Sequence, residues 1–410
     1  MAKQKLTSAR LFYGIFLITL AILIYLPVVN VKLYIHSKQE FKSHAQFAQT
    51  FVEDVNQVPK FIIAHPLYML AEVAVMKILA VDARKAGLLV SLLAYVWLTW
   101  IIYKEFLKRT QNTSKRAELK SMVLTLVSLT AAHIPILLFV DRDIYFGYIG
   151  INAYHNATSN FLKPFALIGF IYSLKAFQSA SPTMKETITT AILLVLSTLV
   201  KPNFIICLLP ALVIFLFLRW KQNQTIHWRF VLASIFIPSA LTLAWQFFYN
   251  YTDDSSRIIF YPFGVKAYYS DELILKFISS ILFPLLVTRI YIRDAIKDNK
   301  VVLAWLSFFF GAFYAYFLAE NSGGAFTHGN FDWSAEITLF ILFIMTLLFF
   351  LEKKLQKTGT TFWDVLIIIA LVTHVLSGVL YYIYSLTMDS YSELPSLKRM
   401  FETFLRIFLR

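Results

Sequence analysis

Residues 61–83, FIIAHPLYMLAEVAVMKILAVDA, decide how the rest of the chain is threaded through a membrane. The stretch is long enough to cross a bilayer, whose hydrocarbon core takes about 20 residues of helix. His65, Glu72 and Lys77 nevertheless interrupt any cylinder that would face lipid on all sides. Six apolar residues recur at helical spacing, namely Leu67, Leu70, Ala71, Ala74, Val75 and Ile78. The pattern therefore predicts an amphipathic helix that lies on the outer membrane surface.

The distribution of charge favours the same interpretation, because lysine and arginine collect in the cytoplasmic loops of membrane proteins. If residues 61–83 crossed, the basic stretch 104–120 would fall outside. If they lie on the surface, 21 of the 38 Lys and Arg residues belong to segments predicted to be inside. Lys3, Lys5 and Arg10 precede the first apolar segment, and no cleavage pattern follows it. The sequence thus predicts a retained first helix and a cytoplasmic amino terminus.

The composition excludes a water-soluble fold. Of the 410 residues, 58% are hydrophobic and only 15% are charged, whereas soluble domains carry about 25% charged residues. We expect an all-α polytopic protein of the cell (inner or plasma) membrane, built as one membrane domain, 1–410. About eleven transmembrane helices are predicted, at 11–31, 87–103, 121–140, 164–178, 187–200, 203–218, 230–249, 273–288, 301–319, 335–351 and 363–386. A long first outer loop, 32–86, is expected to carry surface helices, and residues 387–410 to form an amphipathic tail.

The net charge of +14 follows from the same distribution of Lys and Arg that predicts the topology. It accumulates in the predicted inner loops, so the basic balance is explained without a nucleic-acid partner. The single cysteine, Cys207, excludes an internal disulfide and a cysteine zinc site.

Unusual polar residues concentrate in the predicted outer loops. Glu40 and His44 are one helical turn apart in the first loop, so they would share one face of a surface helix. Lys201 interrupts a long apolar stretch, and Pro202 separates two short helices there. The other candidate site residues are His65, His155, Asn156, Lys163, Glu320, His328 and Asn330. The competing interpretation is interfacial: such residues suit lipid headgroups, and Lys201 would extend its side chain toward phosphate.

The order of these features resembles the glycosyltransferase C superfamily, multi-pass membrane enzymes that take a sugar from a polyprenyl-phosphate carrier. QEFKSHAQFA resembles the acidic start of that superfamily's first outer loop. HPLYMLAEVAVMKILAVDARKAGLLVSLL is similar to its sequence of proline, aromatic residue, surface helix and second membrane helix. STLVKPNFIICLLPALVIF is similar to its pair of short helices joined by a Lys-Pro turn. The resemblance covers the layout of most of the chain.

The resemblance implies a transferase of envelope polysaccharide synthesis, with a polyprenyl-phosphate-sugar donor, a glycan or lipid acceptor and surrounding membrane lipid. Glu40 would be the catalytic base, and His44 would orient it or hold a sugar hydroxyl. Lys201 would neutralise the carrier phosphate, because sugar transfer needs a base and a group that holds the departing phosphate. The remaining candidates would line the pocket.

One departure from the superfamily concerns the first loop, where an aspartate is usual and this chain has Glu40, with Glu53 and Asp54 further along. No cofactor is required by the sequence. A divalent cation held by Glu40, Glu320 and histidines is compatible with these residue types, although no spacing demands it.

Two other functional classes stay open. A polysaccharide polymerase or ligase would act on the same carriers but would be expected to rely on outer arginines, which are few. A lipid-linked-sugar transporter or flippase would show internal repeats, broken helices and ionisable groups at mid-membrane. The predicted spans contain His133 and His374 but no obvious buried acid–base pair, which disfavours proton coupling.

Overall fold

A computed structural model of the chain describes residues 2–35, 40–110, 115–138, 143–250, 256–322, 329–356 and 359–387. Within these residues, seven helices are long and apolar enough to cross a membrane, or eight if one bent pair counts as a single span. The first half of the chain forms α1 (Ala2–Asn30), α2 (Glu40–Glu53), α3 (Lys60–Ala64), α4 (Leu67–Leu79), α5 (Ala83–Thr110), α6 (Lys115–Thr130), α7 (Ala157–Ser173), α8 (Met184–Val200) and α9 (Asn203–Lys221). The all-α polytopic membrane architecture is therefore confirmed.

The second half begins with a helix that carries a π-helical insertion, Val231–Phe236, between two α-helical parts. Its elements are α10 (Trp228–Phe230), α11 (Ile237–Asn250), β1 (Ser256–Phe260), α12 (Gly264–Tyr269), α13 (Leu273–Ser280), α14 (Leu282–Ile290), α15 (Ile292–Ala295), α16 (Asn299–Phe317), β2 (Leu318–Ser322), α17 (Asp332–Gln356) and α18 (Phe362–Thr387). Strands β1 and β2 pair in antiparallel fashion, with Ile258 opposite Glu320. This small sheet departs from the purely helical expectation. The tail beyond Thr387 lies outside the described residues.

The helix bounds differ most from the prediction at 121–140. Helix α6 ends at Thr130, ten residues before the predicted end of the span. The chain leaves the helix before Pro135, since the Ala132 N–H donates to the His374 carbonyl at 3.0 Å. Pro135 prevents the helix from resuming as predicted, because proline lacks the N–H that a helix needs and restricts the residue before it. Helices α6, α7 and α8 have only 16 or 17 residues, so the count of eleven spans stays a prediction.

Helix α17 is the centre of the bundle. Every residue of its most apolar stretch is buried, and it packs against α5, α7, α9, α14 and α16. The other long apolar helices bury only part of their surface and expose large apolar side chains such as Phe12, Leu93 and Phe309. A helix that is apolar all round belongs in a core, and outward apolar faces are what lipid requires.

An irregular segment, residues 131–156, follows α6; residues 131–133 and 147–156 are buried inside the molecule, whereas Ile136 is 53% exposed. Irregular backbone at membrane depth is tolerated only where protein groups replace the missing helical hydrogen bonds. His374 of α18 supplies two of them: Nδ1 lies 2.6 Å from the Ala132 carbonyl oxygen, and Nε2 accepts the Phe283 N–H at 3.3 Å. Phe283 stands where α13 and α14 bend by 66°. One histidine therefore closes two breaks in the helical backbone.

Lysines perform the same task further along this segment. The Lys276 ammonium donates to the Phe146 carbonyl at 3.1 Å, and the Lys266 ammonium to the Tyr148 carbonyl at 3.1 Å. Neither lysine was a candidate from the sequence. Their burial shows that the polar groups within the bundle include structural anchors for non-helical backbone.

Ion pairs join the ends of several helices at one end of the bundle. Glu352 lies 3.3 Å from Arg109 and 2.9 Å from Lys300, and Lys353 lies 2.9 Å from Asp294. All of these residues belong to segments predicted to be inside. The first-loop helices and Lys201 lie at the other end. The contacts agree with the predicted alternation of loops, while the side that faces the cytoplasm stays a prediction.

Candidate functional site

The break between α8 and α9 positions Lys201. Val200 ends α8, and Pro202 precedes the first residue of α9, where proline costs no helical hydrogen bond. Lys201 thus leaves the helical path, and its ammonium nitrogen lies 3.5 Å from Thr158 Oγ1 and 3.4 Å from Ser159 Oγ. Both hydroxyls belong to the first turn of α7. The ammonium group also lies 4.5 Å from the centre of the Trp333 ring.

Glu40 and His44 lie in the first two turns of α2, within electrostatic range of Lys201. Burial raises the pKa of the Glu40 carboxyl above its ordinary value, and the charge of Lys201 opposes that rise. Burial, assisted by the Lys201 charge, lowers the pKa of His44 to about 4. Burial lowers the pKa of Lys201 to about 8, against the effect of Glu40. The three groups are thus close enough to influence one another's charge, as a shared site requires.

His65 reaches the same cluster from the end of α3. Burial, assisted by the Lys201 charge, lowers its pKa to about 4. Gln246 of α11 lies 2.9 Å from His65 Nδ1 and 2.8 Å from the Thr198 carbonyl oxygen. Because Thr198 is in the last turn of α8, Gln246 fixes His65 relative to the Lys201 turn.

His155 and Asn156 end the irregular interior segment and begin α7. His155 lies within electrostatic range of Lys201, hydrogen-bonds through Nδ1 to the Tyr381 hydroxyl at 3.2 Å and packs against Trp333. Asn156 caps α7, since its side-chain oxygen accepts the Ser159 N–H at 2.7 Å. The Asn156 oxygen therefore has a structural task in addition to any role in binding.

Lys163 faces the interior of the bundle. It donates to Asn152 Oδ1 at 2.8 Å and lies 4.9 Å from the centre of the Phe340 ring. It also interacts electrostatically with Glu336 of α17. Lys163 therefore contacts the irregular segment directly, and the structure brings it to the inner edge of the cluster.

Glu320 and Asn330 form a separate pair beside the Lys201 turn. Asn330 Nδ2 donates to Glu320 Oε2 at 2.6 Å, and Asn203 Nδ2 donates to the Asn330 carbonyl at 3.1 Å. Asn203 follows Lys201 by two residues, so this pair lies at the rim of the cluster. His328 lies outside the described residues.

Of the buried acids that the sequence did not single out, Glu336 and Glu72 bear on the site. Glu336 is a buried acid of α17; it accepts the Tyr145 hydroxyl and the Gly150 N–H and interacts with Lys163 and Lys201. Glu336 and Lys163 are thus buried groups of opposite charge that interact electrostatically, which the expectation of no obvious buried acid–base pair did not anticipate. Glu336 is the one acid in the predicted span 335–351, and an ionisable residue within a span is itself a signal of function.

Glu72 is the other missed acid, and it is fully buried on α4. The amphipathic pattern had treated Glu72 as a polar interruption, but it faces inward while Ile78 is 78% exposed. Burial raises the pKa of Glu72 well above its ordinary value.

The arrangement combines a cation, a buried carboxyl group, three histidines, two hydroxyls and an indole ring at one end of the bundle. It can hold an anionic group at Lys201 and accept a proton at Glu40. Among the residues that the structure describes, no three His, Cys, Asp or Glu side chains are grouped to hold a metal ion. The divalent cation stays a prediction.

The fold and the cluster define an all-α, multi-pass membrane protein with a buried polar site at one end of its helices. No protein-family model matches the chain, and no curated protein matches it.

Proposed function

We propose that the chain is a membrane glycosyltransferase that moves a sugar from a polyprenyl-phosphate carrier to a glycan or lipid acceptor at the outer face, in envelope polysaccharide synthesis. The observation that carries the proposal is that Glu40, His44, His65 and His155 all lie within electrostatic range of Lys201. These residues come from α2, the end of α3, the segment before α7 and the break between α8 and α9. A purely interfacial role would leave them spread along the membrane surface, whereas a reaction at one phosphate needs them together.

Lys201 is suited to bind the phosphate of the carrier. Its ammonium group lies beside the Thr158 and Ser159 hydroxyls, and the positive end of the α7 dipole adds to the local potential. A phosphate at this position would accept hydrogen bonds from one cation and two hydroxyls. Charge that develops on the departing phosphate would thus be stabilised where it forms.

Glu40 is suited to act as the catalytic base. In the proposed step its carboxylate takes the proton of the acceptor hydroxyl, the hydroxyl oxygen bonds to the anomeric carbon, and the bond from that carbon to the phosphate oxygen breaks. The electron pair of that bond leaves with the phosphate next to Lys201. A base whose pKa is raised by burial holds the abstracted proton better than an ordinary carboxylate.

His44 and His65 would then bind sugar hydroxyls without adding charge. Their pKa values of about 4 keep both imidazoles neutral at physiological pH. A neutral imidazole offers one donor and one acceptor, which suits a hydroxyl group. Trp333, which contacts Lys201 and His155, would add an aromatic ring to the same site.

A Glu40→Gln variant tests the proposal. Membranes that contain the purified protein are given a polyprenyl-phosphate donor with a radiolabelled sugar, and label in the acceptor fraction is measured. We expect Glu40→Gln to lose product while it keeps the thermal stability of the wild type. The matched control is Glu53→Gln, which removes an exposed acid from the far end of the same helix. Full product with Glu40→Gln would refute the catalytic assignment.

Transport of the same lipid-linked sugar is the second candidate, and a specific observation favours it. The 66° bend between α13 and α14 and the buried groups Glu336 and Lys163 are features that transporters place at mid-membrane. Vesicles with a fluorescent lipid-linked sugar and an impermeant quencher distinguish the two. Flipping that is lost with Glu336→Gln and kept with Glu40→Gln would favour transport. A labelled polymer instead of a single added sugar would favour a polymerase or ligase.

A further inference from the structure

A groove of about 410 Å³ lies on the side of α2 opposite the Lys201 cluster. It is formed by the end of the first membrane helix, the outer face of α2 and the start of α5. Its polar lining comprises Tyr34, Lys42, Gln46, Gln49, Asp82 and Arg84. Its volume is within the range of pockets that hold small ligands, roughly 300–1,000 Å³.

The helical period of α2 places this groove and the Lys201 cluster on opposite faces of the helix. Lys42, Gln46 and Gln49 recur at helical spacing on one face, whereas Glu40 and His44 occupy the other. The groove is therefore a second site, and nothing in the proposed sugar transfer uses its residues.

The charges in the groove favour an anion. Asp82 is already engaged, because it accepts the Lys85 N–H at 2.9 Å and pairs with the Lys85 ammonium at 3.0 Å. Within the described part of the chain, Lys42 and Arg84 take part in no ion pair. Arg84 lies 5.9 Å from the centre of the Tyr34 ring, which orients the guanidinium group but leaves its charge uncompensated. Two cations on one small concave surface repel each other unless an anion lies between them.

The surroundings of the groove favour a lipid over a soluble anion. Tyr34 belongs to the last turn of the first apolar span and Arg84 to the first turn of the second, so the groove lies where a span meets the membrane surface. Ile35, which follows Tyr34, and Leu79, five residues before Arg84, are each more than half exposed. A ligand with a phosphate for the cations and chains for this apolar rim would satisfy both surfaces.

We propose that this groove binds the headgroup of an anionic membrane phospholipid, with its phosphate between Lys42 and Arg84 and its hydroxyls at Gln46 and Gln49. Gln49 donates its amide N–H to Glu53 at 2.6 Å, so its carbonyl oxygen remains to accept a lipid hydroxyl. A bound lipid would fasten α2 to the bilayer on the face away from the cluster.

The test uses the full chain in detergent, titrated with phosphatidylglycerol and followed by native mass spectrometry and thermal unfolding. Lys42→Gln combined with Arg84→Gln should weaken phosphatidylglycerol binding roughly tenfold or more, because each basic residue contributes to the attraction of anionic lipid. The matched control, Lys60→Gln with Lys77→Gln, removes the same charge from exposed positions of neighbouring helices and should bind within about twofold of the wild type.

Three results would overturn the inference. The first is unchanged phosphatidylglycerol binding by the Lys42 and Arg84 double variant. The second is equal binding of phosphatidylcholine, which has the phosphate but no net charge. The third is full stabilisation by inorganic phosphate at the concentrations at which the lipid acts, which would identify a soluble-anion site. None of these measurements depends on sugar transfer, so the proposed function can fail while this inference stands.

Discussion

The Lys201 ammonium group lies 4.5 Å from the centre of the Trp333 ring, which joins the break between α8 and α9 to the first turn of the central helix. Cation–π contacts of this kind contribute about 0.5–2 kcal/mol, more where water is excluded. The contact also limits where the charge can point. Because Trp333 packs in turn against His155, the indole ring connects two candidate residues from different parts of the chain, the irregular segment before α7 and the break between α8 and α9.

Replacement of Lys201 should therefore affect transfer more than folding. Lys201→Gln removes the charge proposed to hold the carrier phosphate, and we expect roughly 10²–10³-fold slower transfer, the usual effect of losing one stabilising donor. Lys201→Arg should retain part of the rate, because it keeps the cation but changes its shape. Transfer of labelled sugar from the lipid donor measures both, beside the thermal stability of each variant.

Lys185→Gln is the control for this prediction, since Lys185 is an exposed lysine in the first turn of the same helix. A Lys201→Gln rate equal to that of Lys185→Gln would show that Lys201 contributes nothing to the reaction.

Glu72 should make the stability of the first-loop helices depend on pH. Among the described residues, neither of its buried carboxyl oxygens has a partner with good hydrogen-bond geometry, although the Tyr68 hydroxyl is near enough to interact with the carboxyl group. A methyl group at Gly87 would come within 2.7 Å of one of these oxygens. Burial raises its folded-state pKa, so the folded protein binds the proton more tightly than the unfolded chain. The stabilisation is then complete below the ordinary carboxyl pKa and is lost as pH rises through the folded value.

Glu72→Gln should remove this dependence and stabilise the protein at pH 8 by about 1–3 kcal/mol, because a neutral amide replaces a buried charge. Thermal unfolding of both proteins between pH 5 and pH 9 checks the prediction. The curves should converge at low pH and separate at high pH. Parallel curves over this range would mean that the pKa of Glu72 is the same in the folded protein as in the unfolded chain.

The Lys201 cluster was predictable in part because local sequence carries it. A lysine followed by proline within an apolar stretch must break the helix, and Glu40 and His44 share a face through the helical period alone. The residue types, an acid and a histidine on one face and a lysine elsewhere, also suggested a base and a phosphate-binding cation at one site. The pairing of β1 with β2 had no such local signal, because its partners, Ile258 and Glu320, are far apart in the chain.

The irregular segment after Thr130 could not be predicted from hydropathy. Hydropathy measures how apolar a stretch is, but it does not report whether the backbone hydrogen bonds close within that stretch. Here they close through His374, Lys266 and Lys276, which are more than one hundred residues away. The role of Glu336 could not be predicted for the same reason, because it receives a hydrogen bond from the Gly150 backbone, which is equally remote in the sequence.

His374 should be a major determinant of stability. His374→Phe keeps the size of the ring but leaves the Ala132 carbonyl and the Phe283 N–H without their side-chain partner. Each buried backbone group that loses its partner costs about 1–3 kcal/mol, so a loss of roughly 2–5 kcal/mol is expected. Unfolding by denaturing detergent measures it. Thr373→Ala, at the exposed neighbouring position, should stay near the wild type, and equal stability of the two variants would contradict the proposed role of His374.

Gly378 provides the sharpest test of where α6 ends. A methyl group at this position would lie 1.5 Å from the Thr130 carbonyl oxygen and 2.6 Å from its carbon, and backbone atoms cannot move aside as a flexible side chain can. Gly378→Ala must therefore push α18 away from α6, and we expect a loss of roughly 3 kcal/mol, even though alanine favours a helix over glycine by about 1 kcal/mol.

Gly14→Ala is the matched control, because it makes the same substitution in another membrane helix. A methyl group at Gly14 would meet only the Trp100 ring, at 3.2 Å, and a small rotation of that ring accommodates it. The gain in helix propensity should then offset the contact, leaving the variant within about 1 kcal/mol of the wild type. Equal stability of the two variants in the same unfolding assay would mean that the Thr130 carbonyl does not lie against Gly378. The chain after Thr130 would then have to follow another path, and its hydrogen bonds to His374 would be lost with it.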